Sequence, residues 1–161
     1  IKSLYIMGGI GEGKGNITEH AEFNFWVDPD AADIVLNSDI NIKMIAWDTT
    51  QIYGYLNKKN FEDLEKINTP LSRFAINIQK KGLEYYKIKY NEHKIDLADP
   101  LAMAVMINDE DTNYKRCNIK IILDGEERGK DLISFNKNGN IKLATQVSRT
   151  NFLNTLKKSL V

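Results

Sequence analysis

A chain of 161 residues that is 42% hydrophobic and 27% charged has the make-up of a folded globular protein, which excludes a disordered one. Lysine plus arginine equals aspartate plus glutamate at 22 each, so no basic excess is available to meet a phosphate backbone, and nucleic acid is not expected as a partner. The longest strongly apolar run, Leu101 to Ile107, is far short of the roughly 20 residues that span a bilayer, so no membrane segment is expected.

The chain opens Ile1-Lys2-Ser3-Leu4, without an initiator methionine or a signal peptide, as a fragment or a trimmed chain would. Leu4 to Met7 is short, apolar and followed by glycines, which predicts a buried strand running into a loop; Gly8 to Gly15 then holds five glycines in eight residues. Asp28-Pro29-Asp30 precedes Ala31 to Leu36, a helix entry with an acidic first turn, and Ile42 to Trp47 returns as a strand. Strand, loop, helix, strand is the order of an α/β unit with parallel strands.

Helices are predicted over 62–67 and from Pro70 to about Tyr90, with Pro70 at a helix start where its missing N–H costs nothing. A polar stretch, Asn91 to Asp96, leads to a helix from Asp99 to about Asn108, with Asp99 before Pro100 as its N-cap. Strands follow at 115–123, 129–136 and 140–147, and a helix over 151–160 closes the chain. No repeat or linker divides it, so one domain over residues 1–161 is expected. The single cysteine, Cys117, excludes an internal disulfide and a thiolate cluster; in a predicted strand it reads as a small buried hydrophobe, and a reducing, cytoplasmic setting is expected.

Four tempting readings fail on the residues present. Gly8-x-x-x-x-Gly13-Lys14 resembles a phosphate-cradling loop, but Gly15 stands where a Mg²⁺-binding hydroxyl is required. His20-Ala21-Glu22 opens a zinc-deaminase signature that needs two further cysteines. His20 and His93 are the only histidines, too few for a His-rich metal site, and His93 reads as a solvated loop residue. Asp28 and Asp30, a possible carboxylate pair, are placed to cap and to complement a helix dipole.

From Ile6 to Asp33 the chain reads IMGGIGEGKGNITEHAEFNFWVDPDAAD. Met7-Gly8-Gly9, Gly15-Asn16, Thr18, Ala21-Glu22-Phe23-Asn24 and Asp28-Pro29 fall on a pattern of M-G-G, then G-N-x-T-x-x-A-E-F-N, then D-P-E-A-A. Met44 to Thr50 resembles a strand ending in L-D-x-T. Tyr86-x-x-x-Tyr90, followed by Ala98-Asp99-Pro100-Leu101-Ala102, resembles a Y-x-x-x-Y helix before H-D-P-L-A. Arg128-Gly129 and the last helix around Phe152 agree with the same ending. On these segments the whole chain resembles the C-terminal half of a nucleoside hydrolase of the inosine-uridine preferring type, a glycosidase of purine and pyrimidine salvage. The resemblance implies the C-terminal portion of an open, mostly parallel α/β sheet with flanking helices and a small antiparallel strand region near the C-terminus.

It also implies a site. Ribose hydroxyls both donate and accept, so carboxylate and amide partners suit them. By resemblance, Asn16, Glu22 and Asn24 hold those hydroxyls, Met7 lines the sugar pocket and Phe23 belongs to the same run, on a glycine-rich loop where backbone can approach a ligand closely. From the residues alone, Glu22 and Asn24 are solvated first-turn residues. Tyr86 and Tyr90 share a helix face and read either as packing or as contacts to the nucleobase. Asp99 resembles an aspartate that ligates the Ca²⁺ of the intact enzyme, but calcium takes six to eight oxygens and one carboxylate does not hold it, so no binding by this chain alone is expected. The family's D-x-D-P-G-x-D-D segment, which supplies the general base and further ligands, does not occur in these residues, and Ala98 stands where many relatives carry a histidine that protonates the leaving base. The resemblance therefore implies part of a nucleoside N-ribohydrolase without a catalytic residue of its own, inactive alone, or else a truncated non-catalytic ribose- or nucleoside-binding protein. A sheet lacking neighbouring strands exposes an edge, so pairing with a second copy or with a complementary N-terminal half is expected.

Overall fold

The computed structural model describes the backbone of residues 1–161 and all side chains except that of Tyr90. Strand β1 (Leu4–Met7) is followed by helices α1 (Phe23–Val27) and α2 (Pro29–Leu36), then strand β2 (Ile42–Ile45). β1 and β2 are parallel, in register Leu4 to Ile42 through Met7 to Ile45, as the strand-loop-helix-strand order requires. Asp28 makes the corner between the two helices: it ends α1, and its side chain accepts the Ala31 N–H at 3.0 Å to cap α2, with Asp30 in the acidic first turn.

Helix α3 (Trp47–Tyr53) follows directly, where a strand was expected to continue to Trp47; Ala46 turns into it and the strand ends at Ile45. Strand β3 (Tyr55–Asn57) leads into α4 (Lys58–Glu65), which starts four residues before the predicted helix because Asn57 and Asn60 form a capping box. The long helix α5 (Pro70–Tyr90) has its predicted bounds, opened by a Thr69–Ser72 capping box and closed by Asn91 in the left-handed region. Within the stretch expected to be an irregular polar loop, β4 (Lys94–Asp96) pairs antiparallel with β3. Helix α6 (Ala98–Ile107) takes Leu97, not Asp99, at its N-cap and is left without a side-chain cap; Asp99 sits inside the helix, in its first turn. Strands β5 (Asn113–Ile121), β6 (Asp131–Phe135) and β7 (Ile141–Gln146) precede the last helix, α7 (Arg149–Ser159).

The main sheet runs β1-β2-β7-β5-β6, parallel across β1, β2 and β7 and antiparallel from β7 through β5 to β6. Alternation along its strands feeds two cores. Ile45 and Ala144 face Leu56, Phe61, Leu101, Val105 and Phe152 under α4 to α7, whereas Met44, Leu143 and Cys117 face Phe25 and Leu36 under α1 and α2. Cys117 is fully buried in β5, as expected. Tyr5, Lys43 and Asp109 bond to one another on the α6 side, with Lys43 also over the Tyr5 and Tyr114 rings.

β1 ends the sheet. Its alternate amides bond inward, Leu4 N–H to Asn41 and Gly8 N–H to Ile45, so Tyr5 and Met7 present theirs to the open edge. Beside it lies α6, apolar on every side after its first turn, which leaves Met103, Met106 and Ile107 about half exposed. Among the described residues no helix is long and apolar enough to cross a membrane.

Candidate functional site

Ligands of parallel α/β sheets settle beyond the carboxyl ends of the strands, and here one loop and two helix starts meet at those ends. Residues 8–15 leave β1, Trp47 and Asp48 leave β2, and α1 opens beside them. Two backbone bonds join the first pair, Trp47 N–H to the Gly9 carbonyl at 2.9 Å and Asp48 N–H to that of Ile10 at 3.1 Å. Gly9 and Gly11 have φ of 73° and 80°, a region that favours glycine. Gly8 and Gly9 are required by the protein's own packing: a Cβ on Gly8 would stand 2.5 Å from the Phe25 ring, and one on Gly9 2.6 Å from Met44 Cε.

Four successive N–H groups of this loop point at carboxylates. Gly9 donates to Glu22 Oε2 at 3.1 Å, Ile10 and Gly11 to the two oxygens of Asp131 at 2.9 and 3.1 Å, and Glu12 to Asp48 Oδ2 at 2.9 Å. A loop whose amides are already given to carboxylates cannot cradle a phosphate, which agrees with the failed P-loop reading. Lys14, the P-loop-like lysine, instead pairs with Glu19 on the surface at 3.1 Å.

The residues expected to hold ribose are brought together by direct bonds. Glu22 is the N-cap of α1, accepting from Asn24 N–H at 2.8 Å and Phe25 N–H at 3.3 Å as well as from Gly9. With 2% of its surface exposed, it is not the solvated first-turn residue its residue type suggests, whereas Asn24 is exposed as expected. Asn24 Nδ2 reaches across to the Met7 carbonyl at 3.3 Å and its sulfur at 3.5 Å, which fixes the amide over the open end of β1. Asn16 Oδ1 accepts from Phe23 N–H at 2.9 Å, tying the loop to the same helix start, and Phe23 itself is half exposed. A carboxylate offers about four acceptor positions, so Glu22 with three bonds keeps one, and Asn16 keeps its NH₂.

Tyr86 lies across from this group. With Asn16, Trp47, Gln51 and Asp96 it lines an open cleft of about 580 Å³, and its hydroxyl donates to Asp96 Oδ2 at 3.1 Å. The Tyr90 side chain lies outside the described residues. Ala98 opens α6, and Asp99 beside it is exposed. Among the described residues no three His, Cys, Asp or Glu side chains gather as a metal site. One exposed carboxylate does not meet calcium's need for six to eight oxygens, so the donors present here do not fit a calcium ion.

Burial raises the Glu22 carboxyl above the ordinary glutamate range, against the three amides that favour its charge, and nearby Asp131 adds to the rise. Burial likewise raises Asp131, opposed by the Ile10 and Gly11 amides and helped by Asp48. Asp96 is raised by burial, with Tyr86 and Lys94 pulling the other way, and its Oδ1 is buried without a hydrogen-bond partner among the described residues.

Sequence reasoning missed Asp131, Asp48 and Asp96. Asp48 stood inside a segment already singled out, and its place at the end of an apolar strand was a signal. Asp131 had none, because its partners lie 121 and 120 residues away.

Residues 1–154 match the family model of the inosine-uridine preferring nucleoside hydrolases. The pyrimidine-specific ribonucleoside hydrolase RihA of Photobacterium profundum is 35% identical over 115 residues, 68% of this chain and 35% of its own length. The inosine-uridine preferring nucleoside hydrolase of Crithidia fasciculata is 30% identical over 130 residues, 78% of this chain and 39% of its own. Among solved structures, a plant nucleoside hydrolase, the PpNRh1 enzyme, superposes with a TM-score of 0.87 at 25% identity, and the purine-preferring ribonucleoside hydrolase from Gardnerella vaginalis with 0.85 at 26%. They cover 95% and 97% of this chain, which in turn spans 51% of each of them.

Proposed function

Because this chain belongs to the inosine-uridine preferring nucleoside hydrolase family, we propose that it forms the ribose-binding side of a site that hydrolyses the N-glycosidic bond of ribonucleosides to base and ribose. The observation that carries this reading is the bonded group Met7–Asn24–Glu22 with Asn16 at the carboxyl end of β1. Asn16, Glu22 and Asn24 hold the sugar hydroxyls, and Met7 and Phe23 line the sugar. Tyr86, at the cleft, with Tyr90 on the same helix, borders the base. Asp99 contributes one ligand to a Ca²⁺ whose other donors these residues do not supply.

Residues 1–161 contain no D-x-D-P-G segment to activate a water, and Ala98 cannot protonate a leaving base. The isolated chain therefore binds and orients ribose but does not cleave. Incubation with inosine or uridine, with and without Ca²⁺, is expected to release no ribose; robust Ca²⁺-dependent release refutes this. Isothermal titration with ribose tests the binding itself, and no heat up to millimolar ribose removes it. A purely non-catalytic nucleoside-binding role predicts the same two results but no gain of turnover when a chain carrying D-x-D-P-G is supplied.

The open edge of β1 and the exposed Met103, Met106 and Ile107 support a partner at that surface, either a second copy or a complementary half. Sedimentation showing a clean monomer at all concentrations argues against the second copy.

A further inference from the structure

We infer that Asp131 is a positioning residue for the ribose site, a staple that holds the loop after β1 in the geometry Glu22 and Asn24 require; this rests on the ribose-binding reading. Asp131 opens β6, and β6 and β1 are opposite edges of the five-stranded sheet. In a flat sheet the four steps between them would measure about 19 Å. Asp131 nevertheless takes Ile10 N–H at 2.9 Å and Gly11 N–H at 3.1 Å, so the start of β6 is bonded through one buried carboxylate to the loop that leaves β1, while the edge of β1 itself stays open.

The contact is specific to a carboxylate. Both oxygens are used, each by one of two adjacent amides, and at 8% exposure water does not replace them. The loop is shaped around it: the Cβ that Gly9 lacks would stand 2.8 Å from Asp131 Oδ2. Holding Ile10 and Gly11 fixes the preceding amide, Gly9 N–H, which donates to Glu22 Oε2. Glu22 in turn fixes the start of α1 and hence Asn24, whose amide is anchored on Met7. None of these steps has Asp131 touch the sugar; it acts through the backbone.

Asp131→Asn tests the idea, because an asparagine offers one acceptor and turns its NH₂ toward the second amide. Bonds to a charged acceptor are worth enough that losing one should weaken ribose binding by about tenfold. Leu64→Ala, a core change in α4 within the separate cluster on the other face of the sheet, controls for general destabilisation. The expected result is a higher Kd for ribose in Asp131→Asn than in a Leu64→Ala variant of equal Tm, partly restored by Asp131→Glu. Equal affinities in the two variants overturn the proposal. If the unaltered chain binds no ribose, the functional reading fails, and amide exchange decides the staple by itself. Faster exchange at Ile10 and Gly11 that spreads to Gly9 and Asn24 in Asp131→Asn upholds it, and exchange confined to Ile10 and Gly11 or unchanged overturns it.

Discussion

Replacing Glu22 with alanine removes three hydrogen bonds at once, from Gly9, Asn24 and Phe25 N–H. Two of these belong to a helix N-cap, whose loss costs about 1 kcal/mol. The third leaves Gly9 N–H buried and unpaired, at about 1–3 kcal/mol. Relief of the buried carboxylate's desolvation offsets part of this, for a net loss of about 2–3 kcal/mol, or about 4–12 °C in Tm for a chain of this length. Glu22→Gln keeps one strong acceptor and should lose about 1 kcal/mol. The pH dependence carries a second signature. A carboxyl raised in the folded state binds its proton more tightly there than in the unfolded chain, so stability is greatest below the unfolded value and declines as pH rises through the folded one. Urea titrations at several pH values from 4 to 8 should therefore show a steeper decline for the unaltered protein than for Glu22→Gln, with Asp131 supplying the remainder. If Glu22→Ala unfolds within about 0.5 kcal/mol of the unaltered chain, or Glu22→Gln leaves the pH slope untouched, the account of the N-cap and loop fails.

The same reasoning applies elsewhere. Gly9→Ala places a Cβ at φ 73° and 2.6 Å from Met44 Cε, so it should lose about 2 kcal/mol or more in urea unfolding. Cys117, buried and with its thiol pushed up to about 11 by that burial, should resist a disulfide reagent in the native protein and react once urea is added. Arg149 donates to the carbonyls of Tyr53 and Tyr55 and to Asn60 Oδ1 at 3.0, 2.6 and 2.9 Å and stacks 3.6 Å from the Tyr55 ring centroid; Arg149→Lys loses the planar fork and should cost about 2 kcal/mol by chemical denaturation. Asp96→Asn removes a carboxyl that burial raises, so its Tm relative to the unaltered chain should improve as pH moves from 4 to 7, and a constant difference would contradict this.

Where chemistry is local, the sequence was readable. Leu4–Met7 declared itself by an apolar run ending in glycines, and Pro70 marked the start of α5. Asp28 was identifiable as a cap from its place before Pro29. The site followed from a contiguous run, Met7 through Asn24, whose members fold onto one another across few residues. What escaped notice depends on distant partners. Phe23–Val27 is only five residues, rich in aromatics that favour strands, and becomes helical because Glu22 caps it and Phe25 enters the core. Tyr55–Asn57 and Lys94–Asp96 are three-residue strands that exist only through each other. Asp99 looked like a cap because it precedes a proline; in the structure Leu97 O accepts the Leu101 N–H, which starts the helix earlier.

The carboxylate that ties β6 to the loop after β1 also orders events in time. Residues 9–11 leave the ribosome long before Asp131, and the loop they close spans about 120 residues, a late and entropically costly contact. The β5–β6 hairpin must form and curl before that contact exists. During refolding the amides of Ile10 and Gly11 should accordingly gain protection after those of β5 and β7, so the corner these residues form acquires its shape late.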